Sequence, residues 1–69
     1  MGKKLTAYGV YLAKTSEEYL NKYQHRYAIH IKELGVSEDT LDRFMGGNII
    51  NDKNFDTICE KLRIPNLYF

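Results

Sequence analysis

Residues 34–48 read Leu34-Gly35-Val36-Ser37-Glu38-Asp39-Thr40-Leu41-Asp42-Arg43-Phe44-Met45-Gly46-Gly47-Asn48. Gly35 suits a left-handed helix end, because it has no Cβ to clash at positive φ. Two residues later, the Ser37 hydroxyl can accept from a free amide in the first turn of a new helix. Leu41, Phe44 and Met45 follow at i, i+3 and i+4, which places them on one side of that helix, and Gly46-Gly47 stops it. A helix, a glycine turn and a capped second helix make a helix-turn-helix, with the helices crossing at roughly 90–120° and the outer face of the second left open.

Working outward, Leu20, Tyr23, Tyr27, Ile31 and Leu34 recur at steps of three and four, drawing one apolar stripe over residues 19–34. Thr15 or Ser16 starts it, with Thr15 and Glu18 at capping-box spacing and two acids favoured by the helix dipole. The stripe fits one long helix, or two with a break near Gln24-His25. Residues 5–14 are ambiguous: Leu5, Tyr8 and Leu12 have helical spacing, while Tyr8, Val10 and Leu12 alternate as in a strand. A short helix is the expectation, capped by Thr6, with Gly9 tolerated at a cost of roughly 1 kcal/mol where a neighbouring helix packs close. Downstream, Asn51 or Asp52 opens a last helix carrying Phe55, Ile58, Cys59 and Leu62 as a second stripe, closed by Pro65.

The expected fold is therefore all-α, a single domain over residues 1–69: a compact bundle of four or five short helices containing a helix-turn-helix. The helix-turn-helix unit spans about residues 27–47, the supporting C-terminal helix about residues 52–63, and Leu41, Phe44, Phe55, Ile58 and Leu62 share the core. The terminal Asn66-Leu67-Tyr68-Phe69 fits an apolar tail folded onto that core, and equally four letters of an engineered protease-recognition tag.

With 43% hydrophobic and 28% charged residues and a single proline, the composition is that of a soluble globular domain. A chain of 69 residues buries only about 60% of its unfolded surface, so the core must be thin. Cys59 is the only cysteine, which rules out a disulfide framework or a cysteine zinc site within one chain and points to an intracellular origin. Nothing has the apolar length of a signal peptide or membrane span, and a cytoplasmic location is expected. The formal charge of +1 conceals a division: residues 1–34 carry a net +3 and residues 35–69 a net −2. Any electrostatic footprint for phosphate lies in the first half.

Catalysis finds no footing. There is no phosphate loop, no Gly-x-Ser-x-Gly elbow and no carboxylate pair that must meet in a cleft, so no enzyme activity and no cofactor are expected. His25 and His30 are five apart, off a shared helix face, and lack a third ligand, so both read as structural. Cys59 sits on an apolar stripe and should be buried and inert. Tyr19, Tyr23 and Tyr27 follow the core stripe, which favours packing over base stacking.

Residues 27–64 resemble the lambda-repressor-like (Cro family) helix-turn-helix, in which Gly-Val-Ser opens the recognition helix and a glycine closes it. Within that family the chain is most similar to the N-terminal helix-turn-helix domains of cyanobacterial NACHT-type signalling ATPases. Thr40-Leu41, Arg43-Phe44, Gly47, Phe55, Ile58-Cys59, Leu62 and Ile64 carry the likeness, with Ala7-Tyr8-Gly9 a weaker match upstream. His30 and Ile31 stand where the family usually has leucine and alanine, and residues 15–26 read as an insertion.

The resemblance implies a DNA-binding domain whose recognition helix enters a major groove about 12 Å wide. On that reading Ser37, Glu38, Asp39, Thr40, Asp42, Arg43 and Asn48 face the bases of double-stranded DNA, with Lys22, Arg26, Lys32 and Lys53 near phosphates. The alternative is a protein-interaction or self-association module at the front of a larger signalling ATPase, working through the acidic helix of residues 37–45. Glu38, Asp39 and Asp42 repel phosphate, which suits the second reading. Simpler roles exist for the same residues: first-turn acids stabilise a helix by ~0.3–1 kcal/mol without a ligand, and Arg43 can pair with Asp39 at i, i+4.

Overall fold

Most helices begin where a side-chain oxygen takes up a free backbone amide. The computed structural model describes residues 1–69. Helix α1 spans Ala7–Thr15, and Thr6 Oγ1 accepts from the Gly9 amide at 3.0 Å. Helix α2, Ala28–Leu34, starts at Tyr27 with no side-chain cap. Helix α3, Glu38–Met45, is capped by Ser37, whose Oγ accepts from the Thr40 amide at 3.1 Å. Helix α4, Asp52–Leu62, is capped by Asn51, whose Oδ1 accepts from the amides of Lys53 and Asn54 at 2.8 and 3.2 Å.

The architecture is mostly helical, as expected, but it is not purely α. Strand β1, Gly2–Lys3, pairs antiparallel with β2, Ile50–Asn51, with Gly2 opposite Asn51 and Lys3 opposite Ile50. Two-residue strands carry no alternation pattern, so nothing in the sequence marks them. Leu5 also bridges to Tyr68, the Thr6 amide donates to the Leu67 carbonyl at 3.1 Å, and the Phe69 amide donates to Lys4 at 2.9 Å. Residues 66–69 thus run back along the start of the chain. This corrects the reason given for Gly9: its close neighbour is not a helix but the tail, since a Cβ there would lie 3.0 Å from the Leu67 carbonyl oxygen and 2.9 Å from Leu5 Cδ2.

The stripe over residues 19–34 is broken, near the point where two helices could divide. Tyr19–Tyr23 form a π-helical turn in which the Gln24 amide reaches back to the Tyr19 carbonyl at 2.7 Å. A turn follows, and Arg26 adopts φ 60°. The wider turn sends Tyr23 into the core at 1% exposure and leaves Leu20 and Tyr27 on the surface. Of the two residues that could start the segment, Ser16 takes the capping role and the Thr15–Glu18 capping box does not form. Thr15 is the last residue of α1 and donates to the Tyr11 carbonyl, whereas Ser16 accepts from the Tyr19 amide at 3.3 Å and donates to the Leu62 carbonyl at 2.9 Å.

Gly35 ends α2 at φ 85°, ψ 6°, the left-handed conformation that glycine adopts at least cost. Helix α4 then packs across α2 and α3, while α1 packs against α3 and the π turn. Leu41, Phe44, Phe55, Ile58 and Leu62 are all buried, with the rings of Phe44 and Phe55 5.2 Å apart, so the expected shared core is present. Leu5, Ala13, Tyr23, Leu34, Met45, Ile50 and Cys59 complete it.

Candidate functional site

The segment α2, Gly35 to Ser37, and α3 leaves one side of α3 in solvent. Leu41, Phe44 and Met45 turn inward, and Ser37, Glu38, Asp39, Asp42 and Arg43 are exposed, as is Asn48 beyond the helix. Of the residues expected on the outer face, only Thr40 departs, being half-buried. Their partners are not the expected ones.

Glu38 and Asp39 make no ion pair. Arg43 does not pair with Asp39; its Nη2 donates instead to the Ile49 carbonyl at 3.0 Å, tying α3 to the approach of β2. The hydroxyls of Ser37 and Thr40 lie 2.8 Å apart and satisfy each other within the cap. The Asn48 amide donates to the Arg43 carbonyl at 2.9 Å, which helps end the helix.

Asp42 meets Arg26 from the inserted segment, whose Nε and Nη2 donate to Asp42 Oδ1 at 3.0 and 2.5 Å. The Arg26 guanidinium also donates to the Tyr23 carbonyl and lies 5.6 Å from the Tyr19 ring centre. Partial burial disfavours the charge, but hydrogen bonds to Asp42 and Tyr19 outweigh it, so the Arg26 pKa is raised. Lys22 is held between Glu18 at 3.4 Å and Glu33 at 3.7 Å, and its pKa is raised, chiefly by the Glu18 hydrogen bond. Of the four cations expected near phosphate, Lys22 and Arg26 are therefore engaged with carboxylates. Lys32 and Lys53 are exposed and outside every ion pair.

Other groups divide clearly. Cys59 is fully buried, and desolvation, followed by the charge of Asp56, pushes its thiol to about 11, far from a reactive thiolate. His25 stacks on Tyr27 and His30 stands edge-on to Tyr23, and no three His, Cys, Asp or Glu side chains gather to hold a metal. A groove of about 340 Å³ lies between the ends of α1 and α4, lined among others by Ser16, Glu17, Leu62 and Arg63. Its serine hydroxyl is already bonded to Leu62. No helix is long and apolar enough to cross a membrane.

Sequence reasoning missed the exposed rings of Tyr8 and Tyr11 on α1, stacked with centroids 6.2 Å apart. Their signal was available: they stand at i, i+3, on the side of the helix away from Gly9 and Ala13, the small residues that face inward. No family model, curated protein or solved structure matches the chain.

Proposed function

We propose that residues 27–47 act as a helix-turn-helix of the lambda-repressor-like kind, and that α3 uses its outer face to bind a basic protein surface. The observation that carries this reading is the charge state of that face. Glu38 and Asp39 are exposed without a cation, and they occupy the first turn, the part of a recognition helix that would meet DNA. Phosphate would be repelled there, and Lys22 and Arg26, which could have compensated, are spent on carboxylates inside the chain.

The DNA reading keeps one support. Ser37 caps an exposed helix directly after the left-handed Gly35, with Arg43, Lys32 and Lys53 outside ion pairs, and that arrangement can serve a groove. Charge favours the protein reading, because Glu38 and Asp39 lie uncompensated in the first turn, where they repel phosphate, while Lys32 and Lys53 lie on α2 and α4.

Backbone amide NMR separates the readings. A short oligolysine peptide, the basic probe, should shift the amides of residues 38–43, and Glu38→Gln with Asp39→Gln should abolish the effect. Random duplex DNA should leave those amides unmoved. Duplex shifts at residues 38–43 with none from oligolysine would reverse the assignment.

A further inference from the structure

The outer face of α1 has no partner in the fold. Tyr8 and Tyr11, one helical turn apart, are 62% and 60% exposed, with ring planes 21° apart. Single exposed apolar residues are ordinary, but two stacked rings on one helix form a small flat platform. The segment that carries it has charge of one sign. Residues 1–16 contain Lys3, Lys4 and Lys14 and no carboxylate, and only Lys3 is paired, with Asp56 at 3.0 Å. The exposed Lys4 and Lys14 bracket the two tyrosines in sequence.

The same molecule presents the complement. Glu38 and Asp39 on α3 are exposed anions without cations. We infer that the Tyr8 and Tyr11 face of α1 docks onto the Glu38 and Asp39 end of α3 in a second copy of this chain. This rests on α3 being a protein-binding face, as argued above, and names its partner.

The pairing leaves every internal ion pair intact, since Asp56, Glu18, Glu33 and Asp42 already hold Lys3, Lys22 and Arg26. It joins Lys14 and Lys4, which have no carboxylate partner although Lys4 rests over the Phe69 ring at 5.7 Å, to the unpaired acids of α3 around two amphipathic rings whose hydroxyls can stay wet. Because α1 and α3 pack together within one copy, each molecule carries both halves of the contact. A standard interface takes about 800 Å² from each partner, nearly a fifth of the 4441 Å² this chain exposes. Two short helical faces supply less, so the association is weak and falls with salt.

Sedimentation velocity of the 69-residue chain, from micromolar to millimolar and at low and high salt, tests this. Concentration-dependent association that salt weakens is expected. Lys4→Glu with Lys14→Glu, or Glu38→Lys with Asp39→Lys, should each weaken it about tenfold, and mixing the two variants should restore it. Circular dichroism shows whether each variant is folded, and Glu38→Gln with Asp39→Gln replaces the lysine pair if helix α3 suffers.

A parent that stays monomeric at millimolar concentration and low salt overturns the inference. If oligolysine still shifts residues 38–43, the α3 reading survives that loss. Association that ignores the α1 reversals, or is not restored on mixing, also overturns it. So does an oligothymidylate that quenches the tyrosine fluorescence of a monomeric parent, which would assign the platform to base stacking.

Discussion

Arg26 shows how one residue can hold a segment that its backbone resists. A non-glycine residue at φ 60° costs on the order of 1 kcal/mol, and here the guanidinium offsets it by bonding to the Tyr23 carbonyl and to Asp42. Arg26→Ala keeps the strained φ and loses the bonds, whereas Arg26→Gly loses the same bonds and removes the strain. Thermal melts should therefore place Arg26→Gly about 1 kcal/mol above Arg26→Ala. Equal melts would deny the strain. Cys59 gives a second test at this scale. Its thiol is raised from 9.0 to about 11 in the folded chain, so its stabilising contribution is complete below pH 9 and fades as pH rises toward 11. That loss amounts to roughly 2 kcal/mol, and Cys59→Ala should flatten the alkaline fall of the melting temperature. The parent thiol should also react slowly with a thiol reagent until denatured.

Among the elements, Phe44 and Leu62 join α3 and α4 in the core, and Phe44→Ala or Leu62→Ala should cost about 2–5 kcal/mol, enough to unfold much of so small a domain. Circular dichroism during urea titration would show it. Gly9→Ala makes an opposite use of propensity: alanine ordinarily stabilises a helix by about 1 kcal/mol over glycine. Here its Cβ would stand 3.0 Å from the Leu67 carbonyl, so the variant should melt below the parent. Helices α3 and α4 were readable because their caps, Ser37 and Asn51, and their stripes act locally. The break at residues 24–26 was open to reading only as an alternative, because Leu20 and Tyr27 keep the spacing of a buried stripe while lying in solvent. The pairing of Gly2 with Asn51 and of Leu5 with Tyr68 was not readable, since it joins distant residues through backbone groups that every sequence possesses. The outer-face residues of α3 followed from helical periodicity. Their ion pairs did not: Arg26 reaches Asp42 across sixteen residues, a separation no local pattern encodes.

Across the whole molecule, the division into a basic first half and an acidic second half is partly resolved inside the fold, through Lys3 with Asp56 and Arg26 with Asp42. Among the charges left outside ion pairs, Lys4 and Lys14 stand near the two ends of α1 and Glu38 and Asp39 open α3, while others, among them Lys32, Arg43, Lys53 and Glu60, are spread over α2, α3 and α4. This distribution suits contact between proteins better than contact with a polyanion, because only one of the two faces would tolerate phosphate. The most direct measurement is a fluorescence anisotropy titration of labelled duplex DNA with the parent chain and with Arg43→Ala, at low and at physiological salt. The protein-binding account predicts no duplex affinity tighter than roughly 10⁻⁴ M at physiological salt and no difference between parent and Arg43→Ala. Saturable duplex binding that Arg43→Ala weakens by about 1–3 kcal/mol would contradict it and return α3 to the major groove.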